Sequence, residues 1–291
     1  MANIAVIGAD IDISVDRLAN ALISKGHTCT KYREDSGVSL LSFDLIMTTR
    51  VDGGADKNQN IMSAYSAGIP VICGFDRNAS SGTGLSASSL AGKLGIASSV
   101  VSGSNNTKKI ISLTNDFVGL PVNSELLIHS NNDFVSYIPN SSIVASAKKY
   151  FGLETSPNTN TVVAVCKRGD LNLMNNNFSA SCAYAGFLYA GYNAYTTEAI
   201  NFIDDLVNKV IQLNASKKIK GRVVDTSGNA LSSEVFLYNQ SNGAFVQKTM
   251  STEAGDYSFD VLDGVYYFIV CRSQLSTQNY QINAHLLGVD G

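Results

Sequence analysis

The sequence predicts an α/β protein in which a doubly wound, mostly parallel sheet is followed by a small all-β sandwich. In the first part of the chain, short apolar segments alternate with amphipathic helical segments, which is typical of parallel strands wound by helices. The clearest helical pattern lies at residues 196–214, where the apolar residues form one stripe. From Ile219 onward only strand-like segments remain, separated by turn-forming pairs such as Asn242-Gly243.

The elements of the first part follow from local patterns. NIAVIG, at residues 3–8, is a short apolar run ending in glycine, which predicts a buried parallel strand. Apolar residues at helical spacing predict a helix over residues 15–26, with Gly26 at its C-cap. HTCTKY, FDLIMTT (43–49) and IPVICGF (69–75) are predicted as further strands, with a helix through NIMSAYSAG before the last of them.

The middle of the chain is expected to elaborate one edge of this sheet. Residues 76–89 are rich in serine and glycine, which predicts a long loop, and a short helix is expected at 87–94. IASSVVS, ELLIHS and VSYIP are strand-like and are expected to pair antiparallel at the edge, whereas residues 161–169 are predicted to form another central strand. Edge strands and exposed loops, including residues 78–89, are the expected interaction surfaces.

The change of pattern places a domain boundary at residues 215–218. We therefore predict an α/β domain at residues 1–215 and a β-sandwich domain at residues 219–291. The boundary carries a cluster of basic residues: Lys217, Lys218, Lys220 and Arg222. A solvated linker is the favoured interpretation of this cluster, and a nucleic-acid patch is the alternative.

Composition narrows the classes of partner. The formal net charge is −3 and charged residues make up 15% of the chain, so its charge does not favour binding to nucleic acid. No apolar run approaches the roughly 20 residues that a membrane span needs, and the first residues show no signal-peptide pattern. The five cysteines are widely spaced and odd in number, which favours synthesis in a reducing cytosol over a disulfide framework.

The second part of the chain carries a recognisable aromatic and glycine pattern. Gly255, Tyr257, Phe259, Gly264 and Tyr266 follow the spacing G-x-Y-x-F…G-x-Y. This pattern resembles that of the carboxypeptidase-regulatory-like, or transthyretin-like, β-sandwich family. The resemblance implies an immunoglobulin-like sandwich without catalytic residues, serving as a spacer, adhesion or docking module, of the kind that recurs on virion proteins of tailed bacteriophages.

The first part resembles the class I glutamine amidotransferase-like superfamily, which has a flavodoxin-like sheet, through its strand order, GIPVICGF, and the late segment AYAGFLYAGYNAYTTEAINFIDDLVNKVI. Active members carry a cysteine in a tight G-x-C-x-G turn and a later His-x-Glu pair. Cys73 stands at the matching position, but Val71 and Phe75 are too bulky for that turn. None of the three histidines is followed two residues later by Glu or Asp. We therefore predict a degenerate active site with Cys73 as a buried structural thiol.

Other sites are also not expected. Gly8 lacks the G-x-G-x-x-G context of dinucleotide binding, and no Cys/His cluster has zinc spacing. Asp10 and Asp12 are interpreted as solvent-facing loop carboxylates, because Thr48-Thr49 stands where a phospho-receiver needs an aspartate. The aromatic segment FLYAGYNAY is expected to pack at a helix entry, with sugar stacking as the alternative. The sequence thus predicts no catalytic, cofactor-binding or metal-binding residue.

Together these features favour a non-catalytic structural or adhesion component of a bacteriophage virion, in the tail, baseplate or tail-fibre region. Such a protein would be made in the host cytoplasm and would dock to other virion proteins in a symmetric homo-oligomer or ring, with a host surface glycan as a further partner. Two alternatives stay open: a divergent amidotransferase-like hydrolase that uses Cys73, and a carbohydrate-binding host-attachment protein.

Overall fold

The computed structural model describes residues 1–51, 58–76, 89–115, 120–214, 217–225, 227–240, 243, 245–261, 266–272 and 279–287. The chain divides into two compact units, Met1–Asn214 and Ala215–Gly291. Most of the predicted loop at 76–89 and the turn residue Asn242 lie outside the described residues.

A large mixed sheet forms the centre of the first unit. Five of its strands run parallel in the order β2-β1-β3-β5-β13: β1 (Asn3–Gly8), β2 (Thr28–Arg33), β3 (Leu45–Thr48), β5 (Val71–Cys73) and β13 (Cys182–Ala185). Helices α1 (Ile13–Ser24) and α2 (Gln59–Ser66) connect β1 to β2 and β3 to β5. The predicted α/β class is confirmed, and these strands have the order of a doubly wound sheet.

The rest of the large sheet is antiparallel. Its remaining strands are β7 (Val101–Thr107), β8 (Lys109–Ser112), β9 (Glu125–Leu127), β10 (Asp133–Pro139), β11 (Lys148–Leu153) and β12 (Asn160–Cys166). The strand predicted at 161–169 is central, as expected, but β12 runs antiparallel to both β11 and β13. The middle of the chain therefore builds a substantial part of the sheet, because β12 runs antiparallel to β13 and strands that precede β12 in the chain add on its other side.

Hydrophobic cores lie on both faces of this sheet. Ile4 and Val6 of β1 belong to one core, whereas Ala5 and Ile7 belong to the other, as the alternation of side chains along a strand requires. The first core is covered by α1 and α4 (Thr197–Asn214), and the second by α2 and the short helix α3 (Leu90–Lys93). The hydroxyl of Thr196 accepts the N–H of Ala199 at 3.0 Å and so caps α4.

The second unit contains only strands among its described elements. They are β14 (Lys217–Arg222), β15 (Glu234–Asn239), β16 (Phe245–Met250), β17 (Asp256–Val261), β18 (Tyr266–Arg272) and β19 (Asn279–Leu287). A two-stranded sheet, β14-β17, and a four-stranded sheet, β16-β15-β18-β19, share one core that includes Ile219, Val235, Leu237, Phe259 and Ile269.

The basic cluster at the boundary is part of this second unit. All six residues of β14 pair antiparallel with β17, from Lys217 opposite Val261 to Arg222 opposite Asp256. The interpretation of these residues as a solvated linker is therefore wrong, because they form a strand paired with β17, and Ile219 of that strand is buried in the core. Lys218 and Lys220, on either side of Ile219 in the sequence, lie on the opposite face of the strand from it.

Candidate functional site

The parallel strands of the first unit end at a common edge, which we call the carboxyl edge. Open α/β sheets bind ligands at this edge, where the strand order reverses. Here β1 lies between β2 and β3, so the reversal falls between the ends of β1 and β3. Two short strands extend past this point, β4 (Arg50–Val51) and β6 (Phe75–Asp76), and pair parallel with each other. The N–H of Ala9 donates to the carbonyl of Arg50 at 2.7 Å, which joins the end of β1 to β4.

The backbone at the carboxyl edge is closely packed. A Cβ atom on Gly74 would lie 2.4 Å from the carbonyl oxygens of both Thr48 and Thr49, so only glycine fits there. The N–H of Gly74 donates to the hydroxyl of Thr48 at 3.0 Å. A Cβ atom on Gly8 would lie 3.1 Å from the hydroxyl oxygen of Thr49, which places that hydroxyl beside the end of β1. The edge is thus built with little freedom to move.

An aromatic side chain reaches this edge from the segment predicted to enter α4. The ring of Tyr189 lies 5.8 Å from the guanidinium carbon of Arg50, within the range of a cation–π contact. The same ring lies 5.5 Å from that of Phe75. Arg17 of α1 donates to the carbonyls of Ala190 and Asn193, which fixes the segment that carries Tyr189.

Several buried polar atoms near this edge have no hydrogen-bond partner in the part of the chain that the structure describes. They are the hydroxyl oxygen of Thr49, Nε of Arg50, both side-chain atoms of the Asn58 amide, and Nδ2 of Asn60. Thr49 and Asn58 are 0% and 1% exposed, so water at the surface does not satisfy them. Because buried polar groups are nearly always hydrogen-bonded, such a concentration marks a place where a partner is expected.

The remainder of the segment 187–195 divides between packing and exposure. Phe187 and Tyr195 are buried, as the packing interpretation predicts, and Tyr195 lies 5.7 Å from the ring of His129. The carboxylate of Asp133 accepts the N–H groups of Tyr192 and Asn193 at 3.1 and 2.8 Å. The side chain of Tyr192 itself is 69% exposed. Packing at the helix entry therefore explains the buried aromatics, whereas Tyr189 contacts Arg50 and Phe75 and the ring of Tyr192 lies 5.6 Å from that of Phe134.

Both histidines of the first unit are part of its packing. Nδ1 of His27 accepts the N–H of Ala2 at 3.1 Å, and its Nε2 donates to Asp204 at 2.7 Å, so neither ring nitrogen is available as a base. His129 is fully buried and contacts the carbonyl of Phe187 through Nε2 at 3.2 Å. Burial lowers the pKa of His129, which keeps the ring neutral.

Cys73 occupies an ordinary strand position. It is 1% exposed, and its thiol donates to the carbonyl of Ala183 at 3.2 Å. The chain continues from β5 into β6 rather than turning into a helix after Cys73. Cys166 and Cys182 face each other across β12 and β13, and burial raises the pKa of Cys182 well above its ordinary value. A nucleophile needs an accessible thiolate, and this environment favours the neutral thiol.

The two aspartates after β1 have different roles. Asp12 accepts the N–H groups of Ser14 and Val15 at 2.9 and 3.3 Å, so it caps α1. Its interpretation as a solvent-facing loop carboxylate is therefore wrong. The Asp10 side chain is 75% exposed and lies 3.5 Å from Arg33. Within the described ranges no three His, Cys, Asp or Glu side chains are grouped to hold a metal ion.

The second unit has an open groove of about 490 Å³ beside the turn that joins β16 to β17. It is lined by Lys220, Gly221, Thr249, Met250, Thr252, Asp256, Tyr257 and Ser258. The ring of Tyr257 lies directly over Gly221, where a Cβ atom would come within 2.3 Å of the phenol oxygen. Exposed Met250 gives the groove an apolar wall, and serine and threonine hydroxyls give it a polar rim.

No protein-family model matches the chain, and no curated protein matches it either. Solved structures to which the chain is similar include PurLQS from Thermotoga maritima, with a TM-score of 0.36, 12% identity, and coverage of 73% of this chain and 98% of that one. They also include the exo-β-1,4-mannosidase Op5Man5 from Opitutaceae bacterium strain TAV5, with a TM-score of 0.38, 9% identity, and coverage of 74% of this chain and 35% of that one. A third is Agd3, a carbohydrate deacetylase, with a TM-score of 0.44, 12% identity, and coverage of 86% of this chain and 38% of that one. At such TM-scores and identities, none of these likenesses assigns a function.

Sequence analysis did not find the residues of the carboxyl edge. Thr48 and Thr49 entered the prediction only as residues that stand where a phospho-receiver needs an aspartate. No binding role was predicted for Arg50, Asn58 or Tyr189. The available signal was the polar run that follows the third strand, since residues directly after a parallel strand lie at the ligand-binding edge. No helix in the described part of the chain has the length and apolarity to cross a membrane.

Proposed function

We propose that the protein is a non-catalytic structural or adhesion component of a bacteriophage virion, in the tail, baseplate or tail-fibre region, and that it acts by docking to other proteins. The observation that supports the non-catalytic part is the environment of Cys73, which is buried and hydrogen-bonded to a backbone carbonyl. His27 and His129, the histidines of the same unit, are engaged or buried, so no base is available to activate that thiol. The virion part rests on the resemblance of the second unit to docking modules.

Mass spectrometry of purified particles from cultures that make this chain tests the proposal. The chain is expected in particles purified through a density gradient, at a copy number that matches a symmetry of the tail or baseplate. Cryo-electron microscopy of the same particles would then locate it and identify which unit makes the contacts. Its absence from gradient-purified particles, together with its presence in the soluble lysate, would refute the virion role.

The hydrolase alternative is tested by Cys73→Ala. Because the thiol is buried and its environment favours the neutral form, we expect this change to alter no turnover of amide or ester substrates by the full chain. Cys271→Ala, in the second unit, is the matched control for loss of a buried thiol. If the chain turns over a substrate, and Cys73→Ala abolishes this turnover while Cys271→Ala does not, the non-catalytic proposal is refuted and the hydrolase alternative is supported.

The groove of the second unit favours a second candidate function, which is binding of a host surface glycan. Sugar rings stack on aromatic faces and bond to hydroxyls, and this groove offers Tyr257 with a serine and threonine rim. Glycan-array binding by the full chain is expected to be lost in Thr249→Arg, which fills the groove, and kept in Thr28→Arg, an exposed position of the first unit. An array with no binding by the unaltered chain would remove this candidate.

A further inference from the structure

We propose that the carboxyl edge of the first unit binds a small oxyanion, either a carboxylate or a phosphoryl group, through Arg50, Asn58 and Asn60. This binding site goes beyond the docking function proposed above and does not depend on it. The proposal is carried by the unpaired buried atoms at this edge, by the charge of Arg50, and by the start of α2.

Hydrogen-bond donors outnumber acceptors among the unpaired atoms. Arg50 contributes an Nε–H group, and Asn58 and Asn60 each contribute an amide NH₂ group. The hydroxyl of Thr49 can also donate, whereas the only obligate acceptor in the set is Oδ1 of Asn58. A ligand that satisfies this set must supply mainly acceptor oxygens, which is the chemistry of an oxyanion.

The connectivity brings these donors to one edge. Arg50 lies directly beyond β3, and its backbone is joined to Ala9 and paired with Phe75. Asn58 and Asn60 stand at the start of α2, the helix of the β3–α2–β5 crossover, and such a helix starts at the edge where the preceding strand ends. The donors therefore gather around the end of β3.

The start of α2 adds a favourable field for an anion. Asn58 is the N-cap residue of this eight-residue helix, but its side chain makes no capping hydrogen bond. The N–H of Ile61 donates to Oδ1 of Asn60 at 2.9 Å, but the dipole of the helix still attracts negative charge at its start. Arg50 supplies the full positive charge. The nearest buried acidic residue along the sheet edge is Glu34, which follows β2 and whose N–H donates to the carbonyl of Gly8.

Burial sets the size of the ligand. Because Asn58 is 1% exposed, we expect only a small group, such as a single oxyanion, to reach its amide. Arg50 and Tyr189 are only partly buried and stack on each other at the outer side. A ligand with a larger remainder would place that part against Tyr189, and inorganic anions would occupy the inner part alone.

Calorimetric titration of the full chain, at constant ionic strength, tests the site with phosphate, sulfate, acetate and glucuronate. Binding of phosphate or sulfate would identify a phosphoryl-type ligand, and binding of acetate or glucuronate a carboxylate. Arg50→Gln is expected to lower the affinity for the anion at least tenfold. Arg50→Lys is expected to lower it less, because lysine keeps the positive charge and loses only the planar guanidinium donor. Arg33→Gln removes an exposed arginine at the end of β2 and is the matched control, with no expected change.

Asn58→Gly keeps the test valid if the arginine variants fold poorly. Asn58 has a φ of 67°, a left-handed conformation that glycine adopts easily, so the variant should fold. It should lose anion binding while the anion-free protein keeps its melting temperature or gains some, since an unpaired buried amide has been removed. Absence of binding for all four anions, equal loss in Arg33→Gln, or marked destabilisation by Asn58→Gly without anion would overturn the proposal.

Discussion

The two units of this chain differ in whether their buried polar side-chain atoms are hydrogen-bonded. In the first unit, side-chain polar atoms without a hydrogen bond collect near the carboxyl edge of a large sheet, whereas in the described part of the second unit no such buried atom occurs. The second unit instead has one apolar core between two sheets and an open groove on its surface. Groups left unpaired inside a protein cost stability, so a concentration of them marks the carboxyl edge as the place where a bound partner is expected.

The largest expected effect tests whether the two units are stabilised independently. Phe202→Ala removes a fully buried ring that packs on Phe151 and Phe187 in the first unit, at a cost of about 3–5 kcal/mol. Phe259→Ala is the matched change in the core of the second unit. We expect differential scanning calorimetry to show that each variant lowers one transition and leaves the other in place. A single transition that both variants shift equally would contradict the division into two units.

The next effect tests how rigid the carboxyl edge is. Gly74→Ala places a Cβ atom 2.4 Å from two backbone oxygens, which cannot move aside as a side chain can. We expect a loss of about 1–3 kcal/mol in the free energy of unfolding of the first unit, measured by denaturant titration. Ala190→Gly, at another buried position of the same unit, is the control for a change in one methyl group. Unchanged stability in Gly74→Ala would mean that the edge is looser than the contacts indicate.

A smaller effect is expected at the hydrogen bond between His27 and Asp204, a paired polar contact that differs from the unpaired polar atoms of the carboxyl edge. Asp204→Ala removes the partner of His27, a buried ring that also accepts the N–H of Ala2. The expected cost is about 1–2 kcal/mol, because the Nε2–H group loses its acceptor. The adjacent Asp205, whose carboxyl pKa is raised mainly by burial, is the matched control. Asp205→Ala should cost less than Asp204→Ala, and the reverse order would show that the pair does not stabilise the fold.

The smallest expected effect is a pH dependence confined to the first unit. Burial lowers the pKa of His129 in the folded protein, while the unfolded chain titrates near about 6.5. The contribution of His129 to the free energy of unfolding is therefore complete above about pH 6.5. It falls as the pH drops from there toward the pKa of His129 in the folded protein, because the unfolded chain binds the proton at a higher pH than the folded one does. The slope cannot exceed one proton, or about 1.4 kcal/mol per pH unit. His129→Gln should flatten the dependence, and an unchanged slope would assign it to other groups.

Local pattern predicted much of the fold. The strand at 3–8 and the helix at 196–214 were found nearly to the residue, since their apolar periodicity and caps depend on neighbours in the sequence. The all-strand character of the second part was also correct, although the immunoglobulin-like sandwich stays a prediction. The linker at Lys217–Arg222 was wrong, because its lysines masked the alternation that makes β14 a strand.

The sequence by itself determined most of the helices and strands of the first unit and the burial of Cys73, because helix and strand periods and bulky neighbours are local properties of the chain. Only the tertiary structure decided that β12 reverses the sheet, that Asp12 caps α1, and that Tyr189 lies on Arg50. The last contact joins residues far apart in the chain, and no local period encodes it. Strand order alone brings the ends of β1, β3 and β5 together, and that order depends on which non-local pairings bury the most apolar surface.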